Sequence, residues 1–170
     1  MSELITQIAT LEKIRQKIKR IAFEIAEDNY DEPEIILAGI GIESEGYVLA
    51  QLIYDELKQI SSANIRLANI ELNKQNPGDQ PVTLQLKNDE IDNSVIILVD
   101  DVANTGRTLL YAIKPFLDYA PKCIRIAVLV ERKHKLFPVS PDYVGLSLST
   151  TFQEHIKVVL AGDEAGIYLS

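Results

Sequence analysis

The chain has 170 residues, 46% of them hydrophobic and 25% charged, with a formal net charge of −8. That length and composition fit one compact domain with a sizeable core and exclude extended disorder. The acidic balance opposes the polyanionic backbone of DNA or RNA, so RNA is not expected as a partner. A single cysteine, Cys123, permits neither an intrachain disulfide nor a cysteine-built zinc site, which fits a reducing cytoplasm. The N-terminus, with Glu3 early, reads neither as a signal peptide nor as a membrane span.

Leu4, Ile8, Leu11, Ile14, Ile18, Ile21 and Ile25 recur at three- and four-residue steps and predict one amphipathic helix ending near Asn29. Lys13, Arg15, Lys17, Lys19 and Arg20 form a basic cluster on it. It is either a solvated face paired with Glu12 and Glu24 or a face for phosphate or RNA. Glu34–Ile40 reads as a buried strand, followed by the loop Gly41–Gly46 and a helix with Tyr47, Leu49, Ala50, Leu52, Ile53 and Leu57 on its apolar side. The loop has the outer glycine spacing of a P-loop, but Tyr47 and Val48 stand where lysine and a hydroxyl are needed, which rejects that motif.

Asn64–Leu72 alternates as a strand, Asn73–Pro81 is turn-forming, and Val82–Leu86 is placed as a returning hairpin strand. Ile96–Val99 is a second buried strand, ending in Asp100 and Asp101. After it, Asn104, Thr105 and Gly106 turn the chain into a helix with Leu109, Leu110, Ile113, Phe116 and Leu117, which Pro115 should kink or shorten. Strand, tight loop and helix start make an anion site: the first helical N–H groups lack partners, Thr105 and Thr108 add hydroxyls, and Gly106 allows close approach. Two adjacent carboxylates cannot hold that anion. They suit sugar hydroxyls, directly or beside a magnesium ion.

Ile124–Val130 is a further core strand, with Cys123 in front of it as a buried structural thiol. Glu131-Arg132-Lys133-His134-Lys135 is the densest positive run, and Tyr143–Ser147 and Lys157–Leu160 are short strands beyond it. The fold class is therefore α/β, with a mainly parallel sheet and helices on both faces. Ligand is expected beyond the carboxyl ends of the strands, where the loops after Ile40 and Val99 meet. An Asp-Asp pair also ends a strand in phosphoacceptor receiver domains, but there it ends the first strand, whereas here it lies past mid-chain.

The segment Ile96–Leu110 resembles the phosphoribosyl-pyrophosphate (PRPP) loop of the type I phosphoribosyltransferases. Within that family the likeness is to the bifunctional pyrimidine operon attenuation/uracil phosphoribosyltransferase group. It extends through Ile126–His134, Leu136–Gly145 and Gly166–Tyr168, and back to Gly41–Ala50. The resemblance implies one domain over 1–170 with a small C-terminal hood roughly over 131–170. The implied activity transfers a phosphoribosyl group from PRPP to a nucleobase, a pyrimidine such as uracil, and releases pyrophosphate.

In the resembling family the acidic pair, here Asp100 and Asp101, takes the ribose hydroxyls and positions Mg²⁺ through PRPP. Ala103, Asn104, Thr105, Gly106, Arg107 and Thr108 would hold the 5′-phosphate, and Glu43, Ser44, Glu45 and Gly46 the pyrophosphate. Arg132 and His134 would serve the base from the hood. PRPP, a nucleobase or a nucleoside monophosphate, Mg²⁺ and a homodimeric or larger assembly in the cytoplasm are the implied partners and setting.

Two departures stand out. Glu43-Ser44-Glu45 replaces a Lys-Thr-Arg triplet, so the glutamates either repel a pyrophosphate or point to solvent. A short turn replaces the Tyr-Arg-Asp-Asp-like flap, with Asn73 and Lys74 in place of the aromatic and the arginine; Lys74 either substitutes in part for that arginine or is a solvated turn lysine, and the second is expected. They raise the alternative of a non-catalytic PRPP or nucleotide sensor.

Overall fold

The computed structural model describes residues 5–151 and 153–170. Six strands form the larger sheet: β2 (Glu34–Ile40), β3 (Asn64–Glu71), β4 (Thr83–Leu84), β5 (Val95–Ala103), β6 (Cys123–Arg132) and β7 (Tyr143–Leu148), in the order β4-β3-β2-β5-β6-β7. All neighbours are parallel except β4, which returns antiparallel along β3. A smaller sheet of β1 (Thr6–Thr10), β8 (Ile156–Val159) and β9 (Gly166–Leu169) is antiparallel, with β9 in the middle.

The central strands are apolar on both faces because both faces are covered, as parallel sheets require. Alternation sorts their side chains. Ile35, Leu37, Val95, Ile97, Val99, Ala127 and Leu129 pack against α1 (Leu11–Asp28) and α2 (Glu45–Ile60). Ile36, Ala38, Ile40, Ile96, Leu98, Ile126 and Val128 face the other way, onto Leu109, Ala112 and Phe116. Those three belong to α3 (Arg107–Ile113) and the 3₁₀ turn Lys114–Phe116 that follows it, so Pro115 shortens the α-helix as expected.

The single helix expected from Leu4 to Asn29 divides. Leu4 lies outside the described residues, Thr6–Thr10 is a strand, and the helix starts at Leu11 with Thr10 as its N-cap. Ile8 fits the helical spacing, but pairing with Gly166–Leu169 at the far end of the chain satisfies this backbone instead, a choice no local period can reveal. Cys123 is half-buried at the start of β6 rather than enclosed.

Tyr143–Ser147, expected as a short strand within the hood of 131–170, belongs instead to Tyr143–Leu148, the edge strand of the main sheet. Its outer side is managed by the basic cluster of α1. The Arg20 guanidinium donates to the carbonyls of Val144 (3.0 Å) and Gly145 (2.8 Å), and the Lys17 ammonium to Gly145 (3.2 Å). Arg20 also pairs with Glu24 at 2.8 Å. Two of the five cations are thus committed to the sheet edge, while Lys13, Arg15 and Lys19 are exposed.

Candidate active site

Chain order reverses between β2 and β5, the two central strands. The chain leaves β2 for α2 on one face and leaves β5 for α3 on the other. Such a switch point opens a crevice at the carboxyl ends of the strands. The register Gly39 to Val99 puts the start of the Gly41–Gly46 loop beside Asp100. The two stretches singled out by sequence therefore meet on one rim.

Asp100 is the deepest group there, 2% exposed, and Asp101 next to it is partly open. Asp100 Oδ1 accepts the Asp101 backbone N–H at 3.0 Å and the Lys74 Nζ at 2.6 Å, and Lys74 Nζ also reaches Asp101 Oδ1 at 3.5 Å. Burial pushes the Asp100 carboxyl well above the ordinary carboxylate range. The Lys74 charge pulls it back down and the Asp101 charge adds to the rise. Lys74 is raised overall: burial lowers it, and the two carboxylates more than offset that. The expectation of a solvated turn lysine is thus corrected. Lys74 lies two residues beyond Leu72, and a neutralising cation is what two crowded carboxylates require.

Gly46 is buried in the first turn of α2, where a Cβ would fall 2.6 Å from Asp100 Oδ1 and 2.7 Å from the Ile40 carbonyl. Only glycine lets this helix start approach the acid so closely. Ser44 caps the helix weakly, its Oγ accepting the Tyr47 N–H at 3.5 Å while its hydroxyl donates to the Ile40 carbonyl at 2.7 Å. Gly41, at φ +94°, and Glu43, at φ +51°, turn the loop. Neither alternative offered for the glutamates describes Glu45. Its carboxylate accepts the Leu160 N–H at 3.0 Å, joining α2 to the segment just after β8, whereas Glu43 is exposed.

The second loop, Ala103 to Thr108, encloses a cavity of about 50 Å³ lined entirely by Val102–Leu109. Gly106 takes the left-handed conformation at φ +86°, and a Cβ there would meet Val139 Cγ2 at 2.5 Å. Thr105 Oγ1 accepts the Arg107 N–H at 3.3 Å, and the Thr105 carbonyl accepts the N–H groups of Leu136 (2.9 Å) and Phe137 (3.1 Å). The segment after β6 is thereby pinned onto the loop. Arg107 lies over the Tyr111 ring at 6.0 Å, and Asn104 is exposed. A wider groove of about 460 Å³ between α1 and α2 is lined by Leu11, Ile14, Ile18 and Leu52 and lies away from these acids.

Arg132, at the end of β6, donates to the Glu154 carbonyl, so it ties the main sheet to the smaller lobe, and its Nε has no partner among the described residues. His134 is exposed on the following loop. Among the described residues no group of three or more His, Cys, Asp or Glu side chains could hold a metal on its own. Two carboxylates with substrate oxygens nevertheless fit the way Mg²⁺ is usually held.

Comparison with known proteins bears on the family and the fold. A family model described as the phosphoribosyl transferase domain matches residues 5–161. The bifunctional protein PyrR of Streptomyces coelicolor is 32% identical over 158 residues, 89% of this chain and 81% of that protein. PyrR of Streptococcus thermophilus (strain CNRZ 1066) is 38% identical over 151 residues, 86% and 85% of the two chains. The hypoxanthine phosphoribosyltransferase structure from Trypanosoma cruzi superposes with a TM-score of 0.73 at 20% identity, covering 96% of this chain and 95% of that one, which bears on the fold. Parallel sheet, switch-point loops and matched sequence converge, and the chain belongs to the type I phosphoribosyltransferases, enzymes of phosphoribosyl transfer.

Proposed function

We propose that this enzyme transfers the phosphoribosyl group of PRPP to uracil, giving UMP and pyrophosphate. The observation that carries the reading is the rim itself: Asp100 and Asp101 lie toward the carboxyl end of β5, just ahead of the polar cavity of Ala103 to Thr108 and beside the Gly41–Gly46 loop. A sugar against the acids and its phosphate in the cavity would leave the anomeric carbon facing the loop. The C1–O bond then breaks with its electron pair on pyrophosphate, the base nitrogen pair forms the new C1–N bond, and the base proton passes to solvent. The chain's contribution is orientation and electrostatic stabilisation, without a covalent intermediate.

Bound with PRPP, Mg²⁺ would neutralise pyrophosphate charge, with Asp100 and Asp101 as the carboxylates able to face it. Arg132 and His134 are assigned to the side of the base, Arg132 by holding the smaller sheet, which serves as the hood, in place. Uracil as the base rests on the likeness of Ile126–Gly145 to the pyrimidine group of the family. A homo-oligomer and a cytoplasmic setting belong to the same proposal, the first resting on that likeness and the second on the lone thiol of Cys123. RNA is left out on the formal net charge of −8, which opposes a polyanionic backbone.

A scan of free bases with Mg²⁺-PRPP, following pyrophosphate release, tests this. Uracil should be consumed, and Asp100→Asn and Asp101→Asn should each abolish most of the release. Release that survives both substitutions, or that requires a purine, overturns the assignment. A second reading, a nucleotide sensor without turnover, is favoured by the exposed Glu43 in a loop that carries no cation. Thermal stabilisation by UMP but not by Mg²⁺-PRPP would select it.

A further inference from the structure

The Gly41–Gly46 loop has no cationic side chain, yet a pyrophosphate leaving C1 carries several negative charges. The lysine that sequence placed in solvent stands beside that loop. Lys74 Cε lies 3.8 Å from the point where a Gly41 Cβ would be, while its Nζ touches Asp100 and Asp101. Its side chain therefore passes the start of the loop on its way to the acids, where the ammonium sits.

The lysine is also built into place. Asn69 Nδ2 donates to the Gly41 carbonyl at 2.8 Å, and the Gly41 N–H donates to the Ile70 carbonyl at 2.8 Å, which locks the end of β3 to the start of the loop. Asn73 Oδ1 accepts the Gln75 N–H at 3.0 Å and the Asn76 N–H at 3.2 Å, which holds the turn that carries Lys74.

Resting on the proposed PRPP site, we infer that Lys74 is a catalytic residue that supplies from the β3 turn the positive charge missing from the Gly41–Gly46 loop and binds the departing pyrophosphate. Without substrate it neutralises Asp100 and Asp101. With PRPP in place the sugar hydroxyls take over the acids, and the ammonium moves the short distance to the pyrophosphate oxygen. As C1–O breaks, the bonding pair stays on that oxygen. Lys74 keeps its proton and donates hydrogen bonds to the growing charge, which a positioned cation stabilises more than the ground state.

The test measures binding of inorganic pyrophosphate with Mg²⁺, binding of UMP, and steady-state transfer from PRPP, on the full chain. Lys74→Met should weaken pyrophosphate binding and lower kcat/KM for PRPP by roughly 10²-fold, and UMP binding should be kept or strengthened. Lys74→Arg should recover part of the loss. Adding Glu43→Lys to Lys74→Met, which returns a cation to the loop, should recover pyrophosphate binding, a rescue that a purely structural lysine would not show. Should Lys74→Met fail to fold, Lys74→Gln takes its place with the same expected losses.

If the wild type binds UMP and consumes PRPP but the neutral variant matches it in pyrophosphate affinity and kcat/KM, Lys74 has no such role and the site reading stands. A wild type that binds neither UMP nor Mg²⁺-PRPP overturns both.

Discussion

Asp100 opposes stability at the position where the proposed function places an acid. Its carboxyl titrates above the ordinary carboxylate range because it is buried, so the folded state holds its proton to higher pH than the unfolded state does. Below the unfolded pKa both states are protonated and there is no penalty. As pH rises toward the folded value, the unfolded chain releases the proton first and stability falls. Asp100→Asn should therefore raise the thermal midpoint relative to wild type, by little near about pH 5 and by on the order of a few degrees near about pH 8. Thermal unfolding of both proteins at the two pH values checks it, and a gain that is equal at both would contradict the burial argument. Asp100 and Asp101 were legible as a candidate site because adjacent acids at the end of an apolar run have no packing reason to be there. Lys74 was not, since nothing local distinguishes a solvated turn lysine from one folded back onto acids 26 and 27 positions away.

At the level of elements, α2 does two jobs through its first turn. Gly46 brings the helix onto Asp100, and Glu45 reaches the Leu160 N–H just after β8. A carboxylate accepting a backbone N–H is a charge-assisted bond. Glu45→Ala should cost roughly 1–3 kcal/mol, since it leaves a half-buried donor unpaired, whereas Glu45→Gln should cost about 1 kcal/mol or less. Hydrogen exchange at the Leu160 amide reads the contact directly: protection should drop in the alanine variant and persist in the glutamine one. This tie also explains how Glu45 can sit at the end of a loop proposed for pyrophosphate, while Glu43 is exposed. Glu45 faces the smaller sheet, and the helix start left beside the acids is Gly46.

For the whole molecule, the smaller sheet depends on both ends of the described chain. β9 lies between β1 and β8, and Ala9, Val158, Leu160 and Ile167 join the same apolar cluster as Ile14 and Val99. Removing residues 166–170 takes away the central strand, unpairs β1 and β8, and opens that cluster to water. Loss of Ile167 alone removes a fully buried side chain, worth about 1.5–3 kcal/mol. The truncated protein should unfold several degrees lower and lose base selectivity in transfer assays. The helical circular-dichroism signal should persist, because α1 and α2 lie on the larger sheet of β2, β5 and β6, which does not include β9.

What the sequence determined by itself was whatever is written in short-range pattern. That includes the buried runs of β2, β5 and β6, the shortening of α3 at Pro115, the loop of Ala103 to Thr108 and, through motif likeness, the family. These are legible because hydrophobic period, turn chemistry and a contiguous motif are local properties. Only the tertiary structure decided that Thr6–Thr10 is a strand, that Tyr143–Leu148 closes the main sheet, that Arg20 and Lys17 cap its edge, that Lys74 meets Asp100 and that Glu45 meets the Leu160 N–H. Each of those depends on a partner far away in the chain, and a hydrogen bond or ion pair of that kind leaves no period in the residues that make it.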